Sequence, residues 1–424
     1  MNKFLSYCQS FRTEDKYFNI SFVLMMFMMA FLPFTVFFMW PIGIALLLLW
    51  VFQGKWREKW ENFKTNDGIP YGIFLLAIFL TPLQGFINSS NMPVAWSIFE
   101  CYTWFLFAPL IFLTISPKLC TPKHIFLLLA IFTISTLLNI SSFFYQALVK
   151  VLQTKEIKYM YNGLFCYNQH HAYVAMYANF AYLLILHYLL NHQNHLSKKF
   201  TAFLVFLELF LILGIFCVYS RAGILTFLFM HTVWCIYAIH QKPSRWKAVG
   251  TLFVLIVGLF AVLILTSPQN RFTESRLTFE NSDKDKRKTD ARLIIWEAAW
   301  DAAKDNLPWG VGTGDGNQVV MEQYHANGYW LNRNHPYNAH NQFLFALLTN
   351  GIPGLIILLL YFYTPLGLSI KHKDIFLLSL FFIMTLNNMV ECMFDRRAGV
   401  DFFAVMIPLF MLRIHSIQHQ KPLP

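Results

Sequence analysis

The polar side chains of this chain that could do chemistry fall in short segments bordering long apolar runs. In Tyr219-Ser220-Arg221-Ala222-Gly223, one arginine interrupts a nearly charge-free stretch. Ser220 can cap the helix that follows. A guanidinium on a first helical turn, beside unpaired N–H groups, makes a place for phosphate. The plainer role for Arg221 is to reach the lipid headgroups. In the segment from Asp290 to Asp305, Asp290 can act as a cap, and Arg292, Trp296, Ala299, Trp300 and Ala303 recur at helical spacing. The tryptophans suit a helix lying along a membrane surface. Arg292 then stands near the helix start, poised for an anion or simply solvated. His340 closes a polar segment, Asn334 to Ala339, and Asn341-Gln342 leads into an apolar run. An imidazole there is near water yet partly desolvated, suited to taking a proton from a hydroxyl near neutral pH. His335 competes for that role, and helix capping by Asn338 and His340 is the non-catalytic alternative.

Other segments carry weaker indications. Pro308 to Gly316 places glycines at 310, 312, 314 and 316. They permit a tight turn and close backbone approach, but the spacing is neither Gly-x-Gly-x-x-Gly nor a P-loop. In Glu391-Cys392-Met393-Phe394-Asp395-Arg396-Arg397, the paired arginines need a local partner, Glu391 or Asp395, or an anionic ligand. His170 and His171 open another apolar run without a carboxylate or cysteine at ligand spacing. Asp283 and Asp285 belong to a charged, solvated loop. No metal and no cofactor is expected from these patterns.

All of these groups must be held by an apolar scaffold. Hydrophobic residues make up 57% of the 424 and charged residues 13%, against roughly 45–50% and 25% in soluble domains. That excludes a water-soluble enzyme, a nucleic-acid-binding domain and a disordered chain. Apolar runs mark spans near 18–32, 34–52, 70–86, 95–115, 123–149, 169–190, 200–219, 221–240, 247–267, 342–364, 374–393 and 399–415. An all-α polytopic membrane protein with about 12 transmembrane helices is the expectation. Pro33 divides the first two spans. Three regions follow: residues 1–267 with nine spans, a loop at 268–341 with an amphipathic helix, and 342–424 with the last three spans and a tail.

Every second exit is basic: Lys55, Arg57, Lys59 and Lys64; Lys118 and Lys123; Lys198 and Lys199; Lys242, Arg245 and Lys247; Lys371 and Lys373; Arg413 and Lys421. These exits should be cytoplasmic, with both termini. The net charge of +11 is read as this flanking pattern, not as a nucleic-acid surface. The segments around Arg221, residues 268–341 and Arg396 then face outward. The seven cysteines form no Cys-x-x-Cys pair and read as small buried hydrophobes.

In order and topology these motifs resemble the O-antigen ligase and polymerase superfamily. The resemblance rests on Ser220-Arg221-Ala222-Gly223 after an apolar run, on Arg292-x-x-x-Trp296 followed by Pro308-Trp309-Gly310-Val311-Gly312-Thr313-Gly314, and on the run from His340-Asn341 to Asn350-Gly351-Ile352-Pro353-Gly354-Leu355. It covers about residues 160–410, with the segments at 170–177 and 390–403 also similar. It implies a membrane-embedded, GT-C-like, metal-independent inverting glycosyltransferase at the periplasmic face of the bacterial inner membrane. The donor would be an undecaprenyl-diphosphate-linked glycan. The acceptor would be lipid A-core for a ligase or another glycan for a polymerase. By that resemblance Arg221 and Arg292 hold the diphosphate and His340 is the base or the residue that orients the acceptor; Ser220, Trp296, Asn341, His171, Glu391, Arg396 and Arg397 are the substrate-binding candidates. A lipid-linked-glycan transporter is the alternative outside enzymes; transporters usually place ionisable groups at mid-bilayer.

Overall fold

The computed structural model describes residues 11–160, 165–166, 169–192, 195–245, 250, 258, 291–329 and 338–420. The described residues are helical, with short 3-10 turns and no strand among them. In chain order the α-helices are α1 (Lys16–Phe31), α2 (Met39–Phe52), α3 (Trp56–Thr65), α4 (Gly68–Asn88), α5 (Met92–Leu113), α6 (Pro122–Thr154) and α7 (His171–His192). They continue with α8 (Lys198–Val218), α9 (Arg221–Gln241), α10 (Ala291–Asp305), α11 (Gly316–Ala326), α12 (Gln342–His372), α13 (Ile375–Asn388) and α14 (Arg397–Gln420).

Eight of these, α4 to α9, α12 and α14, are long and apolar enough to cross a membrane. Three of the twelve runs read from sequence become shorter helices: α1 has 16 residues, α2 and α13 have 14 each. At 1.5 Å per residue, 14–16 residues reach about 21–24 Å, less than the roughly 30 Å hydrocarbon core. Residues 247–267 lie outside the described residues apart from Gly250 and Gly258. The chain breaks at Pro33 between α1 and α2, as its sequence indicates. A second break was not legible: Gly54 and Lys55 adopt left-handed φ of 62° and 51°. There the chain bends by 116° from α2 into the polar helix α3.

The chain divides into two compact units, one of Met1–Ser135, Trp296–Gln323 and Arg333–Pro424, the other of Thr136–Ile295 and Tyr324–Asn332. The boundaries fall inside α6, α10 and α11. In the first unit α14 is the core helix: Gly399 through Leu412 are all buried, which is why its apolar run has no polar face. Phe105 of α5 meets Tyr361 and Phe394 edge-on at 5.2 and 5.1 Å. In the second unit α7 is buried from Ala172 to Leu183. Its small residues let α9 approach: a Cβ on Gly223 would run into the Cβ of Ala175. The Asn179 amide stitches the pair, donating to the Ala175 and Gly223 carbonyls at 2.9 and 3.0 Å.

Helix α12 is broken at Gly351, whose φ of 64° and ψ of −158° are non-helical. The glycine-rich turn docks against this break. Val311 and Gly312 N–H donate to the Leu348 and Thr349 carbonyls at 2.8 and 2.9 Å, and Ile352 N–H returns a bond to Pro308 O at 2.9 Å. On its other side Asp315 accepts from the N–H groups of Ser90 and Asn91, and Gly314 N–H donates to Ser89 Oγ at 2.9 Å. A Cβ at Gly351 would strike the Pro308 carbonyl in a conformation that side chains resist. Gly351→Ala is therefore expected to destabilise the protein by about 3 kcal/mol in thermal unfolding in detergent. Gly367→Ala, with nothing within 4 Å of the added carbon, is the control. Matching melting curves for the two variants would show that the break is dispensable.

Candidate functional site

In the first unit, His340 immediately precedes the N-cap of α12 and has a left-handed φ of 45°. Its N–H donates to Asn338 Oδ1 at 3.1 Å, and its carbonyl accepts from the Trp296 indole N–H at 3.3 Å. This holding turns the imidazole towards Glu391, whose oxygens lie 3.2 and 3.3 Å from Nδ1. A carboxylate only accepts, so Nδ1 carries the proton and the lone pair falls on Nε2. Glu391 is nearly buried while His340 is 23% exposed on its side chain, so the base is reachable and its partner is shielded. The next residue, Asn341, spends its side chain as the helix cap, accepting from Phe343 and Leu344 N–H at 3.0 and 3.1 Å. Gln342 Oε1 accepts from Phe394 N–H at 2.9 Å, fixing the start of α12 to the segment that carries Glu391.

The carboxylates of that segment have partners that the sequence did not indicate. Neither Arg396 nor Arg397 takes Glu391 or Asp395 in a hydrogen bond or ion pair among the described residues. Glu391 serves His340, and Asp395 accepts from Asn338 Nδ2 at 3.1 Å. Burial pushes the Asp395 carboxyl up to about 7, against the lowering effect of the Asn338 bond. Arg396 is exposed. Arg397 lies 5.1 Å over the Trp40 ring, and its Nε and Nη2 have no hydrogen-bond partner. One turn on, both oxygens of the wholly buried Asp401 are also unpaired. A lone carboxylate inside the last apolar run was visible in the sequence and was missed.

In the second unit, Ser220 caps α9 as its sequence indicates, Oγ accepting from Gly223 N–H at 3.2 Å. Arg221 is the first residue of that helix. His171 is the first residue of α7, its ring stacked on His170 at 4.4 Å. Ala175 touches Gly223, each within about one turn of its helix start, so both N-termini lie at the same end of the pair. Two parallel N-termini side by side concentrate positive potential.

Helix α10 carries Arg292 in its first turn and Trp296 one turn later. Its buried face is Ile294, Ile295, Ala298, Ala299, Ala302 and Ala303. Of the stripe read from sequence, Ala299 and Ala303 are buried and Trp300 is 47% exposed. Asp283, Asp285, Asp290 and His335 lie outside the described residues. The glycine turn uses five N–H groups, those of Gly310, Val311, Gly312, Thr313 and Gly314, on the protein itself.

Taken together, these features define a multi-pass helical membrane protein with a histidine–carboxylate pair at the mouth of one helix and an arginine at the start of another. Residues 205–359, somewhat over a third of the chain, match the family described as O-antigen ligase. The matched region holds Ser220, Arg221, Arg292, Trp296, His340 and Asn341 but not Glu391. No match appears among curated proteins.

Proposed function

We propose that this protein transfers a glycan from an undecaprenyl-diphosphate carrier to the hydroxyl of an acceptor, lipid A-core, at the periplasmic face of the inner membrane. The His340–Glu391 pair is the observation that carries this reading. Nε2 of His340 takes the proton of the acceptor hydroxyl as its oxygen attacks the anomeric carbon. Glu391 holds the ring and offsets the positive charge that develops on it, a positioning role. The sugar–phosphate bond breaks with inversion, and its electron pair leaves on the carrier diphosphate. Arg221, at the paired helix starts, and Arg292 neutralise that charge by forked hydrogen bonds. Fixed guanidiniums supply the charge, so the chemistry as proposed needs no metal. Trp296 supports the His340 carbonyl. Ser220 and Asn341 contribute as helix caps, and His171, Arg396 and Arg397 are assigned to binding the glycan. Membrane lipids surround the spans and the polyprenyl tail.

The test is gel analysis of envelope glycans from a deletion strain. Polymer retained on the carrier together with bare core supports the ligase reading. Core bearing one repeat replaces it with a polymerase of the same superfamily. A profile showing neither of these two patterns, with donor trapped on the cytoplasmic side, replaces it with a transporter.

A further inference from the structure

Three residues far apart in sequence converge at the opposite end of α12 from His340. His372 closes that helix, Asp67 immediately precedes α4, and His415 lies in the last turns of α14. Nε2 of His372 is 2.7 Å from Asp67 Oδ2, and Nε2 of His415 is 3.1 Å from the same oxygen. The three donor atoms lie within 4.8 Å of one another. Two atoms each 2.0–2.1 Å from a tetrahedral zinc stand about 3.3 Å apart, so slight spreading of the three admits the ion.

We infer that Asp67, His372 and His415 form a binding site for a divalent transition ion, zinc by donor type, that clamps α4, α12 and α14 together. Two imidazoles and one carboxylate are a borderline set that suits zinc and leaves a fourth position for water. The surroundings are arranged as a ligating carboxylate requires. Lys371 Nζ holds the other oxygen, Oδ1, at 2.6 Å, which leaves Oδ2 to face the imidazoles. Asp67 stands at the N-cap of α4 yet makes no capping bond, and its φ is 57°; its carboxylate is committed to the cluster instead. The side chains of all three are at most 14% exposed.

The cluster is at the C-terminal end of α12 and His340 precedes its N-terminal end, so the ion has no part in the proposed glycan transfer, and this site stands or falls independently of that activity. The test uses the full-length protein with a streptavidin-binding tag, since a histidine tag would itself bind metal. After chelation and gel filtration it is equilibrated with Zn²⁺ and its metal content measured. About one zinc per chain is expected in the wild type, with loss of at least about ten-fold in affinity in both Asp67→Asn and His415→Gln. Zinc is expected to raise the melting midpoint of the wild type by about 5 °C and of neither variant. Co²⁺ replaces the mutants if they fail to fold: the wild type should show the visible absorption of a tetrahedral ion, without a thiolate-to-cobalt band. No metal retained, zinc uptake unchanged in the variants, or a thiolate band would each overturn the assignment.

Discussion

His340→Ala is expected to lower glycan transfer by about 10²–10⁴-fold while the protein stays folded and carrier binding persists. The imidazole caps no helix: Asn341 does that, through Phe343 and Leu344. His340 contributes a backbone carbonyl to Trp296 and a ring to Glu391, and alanine keeps the first. Glu391→Gln separates base from positioning residue. A carboxamide can donate to Nδ1, which moves the imidazole proton to Nε2 and removes the acceptor lone pair. The expected signature is a fall in kcat with little change in KM, partly restored in Glu391→Asp. A rise in KM at constant kcat would make Glu391 a substrate contact instead.

Arg221→Lys and Arg292→Lys are each expected to cost about 10²–10³-fold in turnover, although both retain the positive charge. A lysine cannot make the forked contact to a leaving diphosphate. Both positions are first-turn residues of their helices, so the change removes no helix cap; Ser220 supplies that for α9. Steady-state assays with carrier-linked donor check it. Full activity in both lysine variants would reduce the arginines to generic surface charge.

The membrane spans were legible because a window of apolar residues has the same cause in sequence and in structure: burial of the backbone's polar groups in a helix amid lipid. The short helices and the bend at Gly54 and Lys55 were not, because hydropathy registers apolarity and not where a backbone turns. The position of His340 before a span was readable, and so was the Ser220 cap, since both depend on neighbours in sequence. Partner choice was not. Glu391 seemed destined for Arg396 or Arg397 by charge and proximity. It lies instead against a histidine 51 residues away, because the fixed start of α12 directs that ring. The glycines of 310–316 did mark close backbone approach, but the approaching backbone is that of Leu348, Thr349 and Ser89 rather than a ligand. The Asp67 cluster joins residues 305 and 348 positions apart, beyond any local spacing rule.

In the proposed reaction one carrier diphosphate is released for each glycan moved and His340 takes the proton. It is tested most directly with purified protein in lipid nanodiscs, given an undecaprenyl-diphosphate-linked glycan and a lipid A-core acceptor, with released undecaprenyl diphosphate and glycosylated acceptor measured together. Equal amounts of the two products are expected in the wild type, and a loss of both by about 10²–10⁴-fold in His340→Ala. Glycosylated acceptor formed at the wild-type rate by His340→Ala, or an intact carrier-linked glycan after full incubation of the wild type, would contradict it.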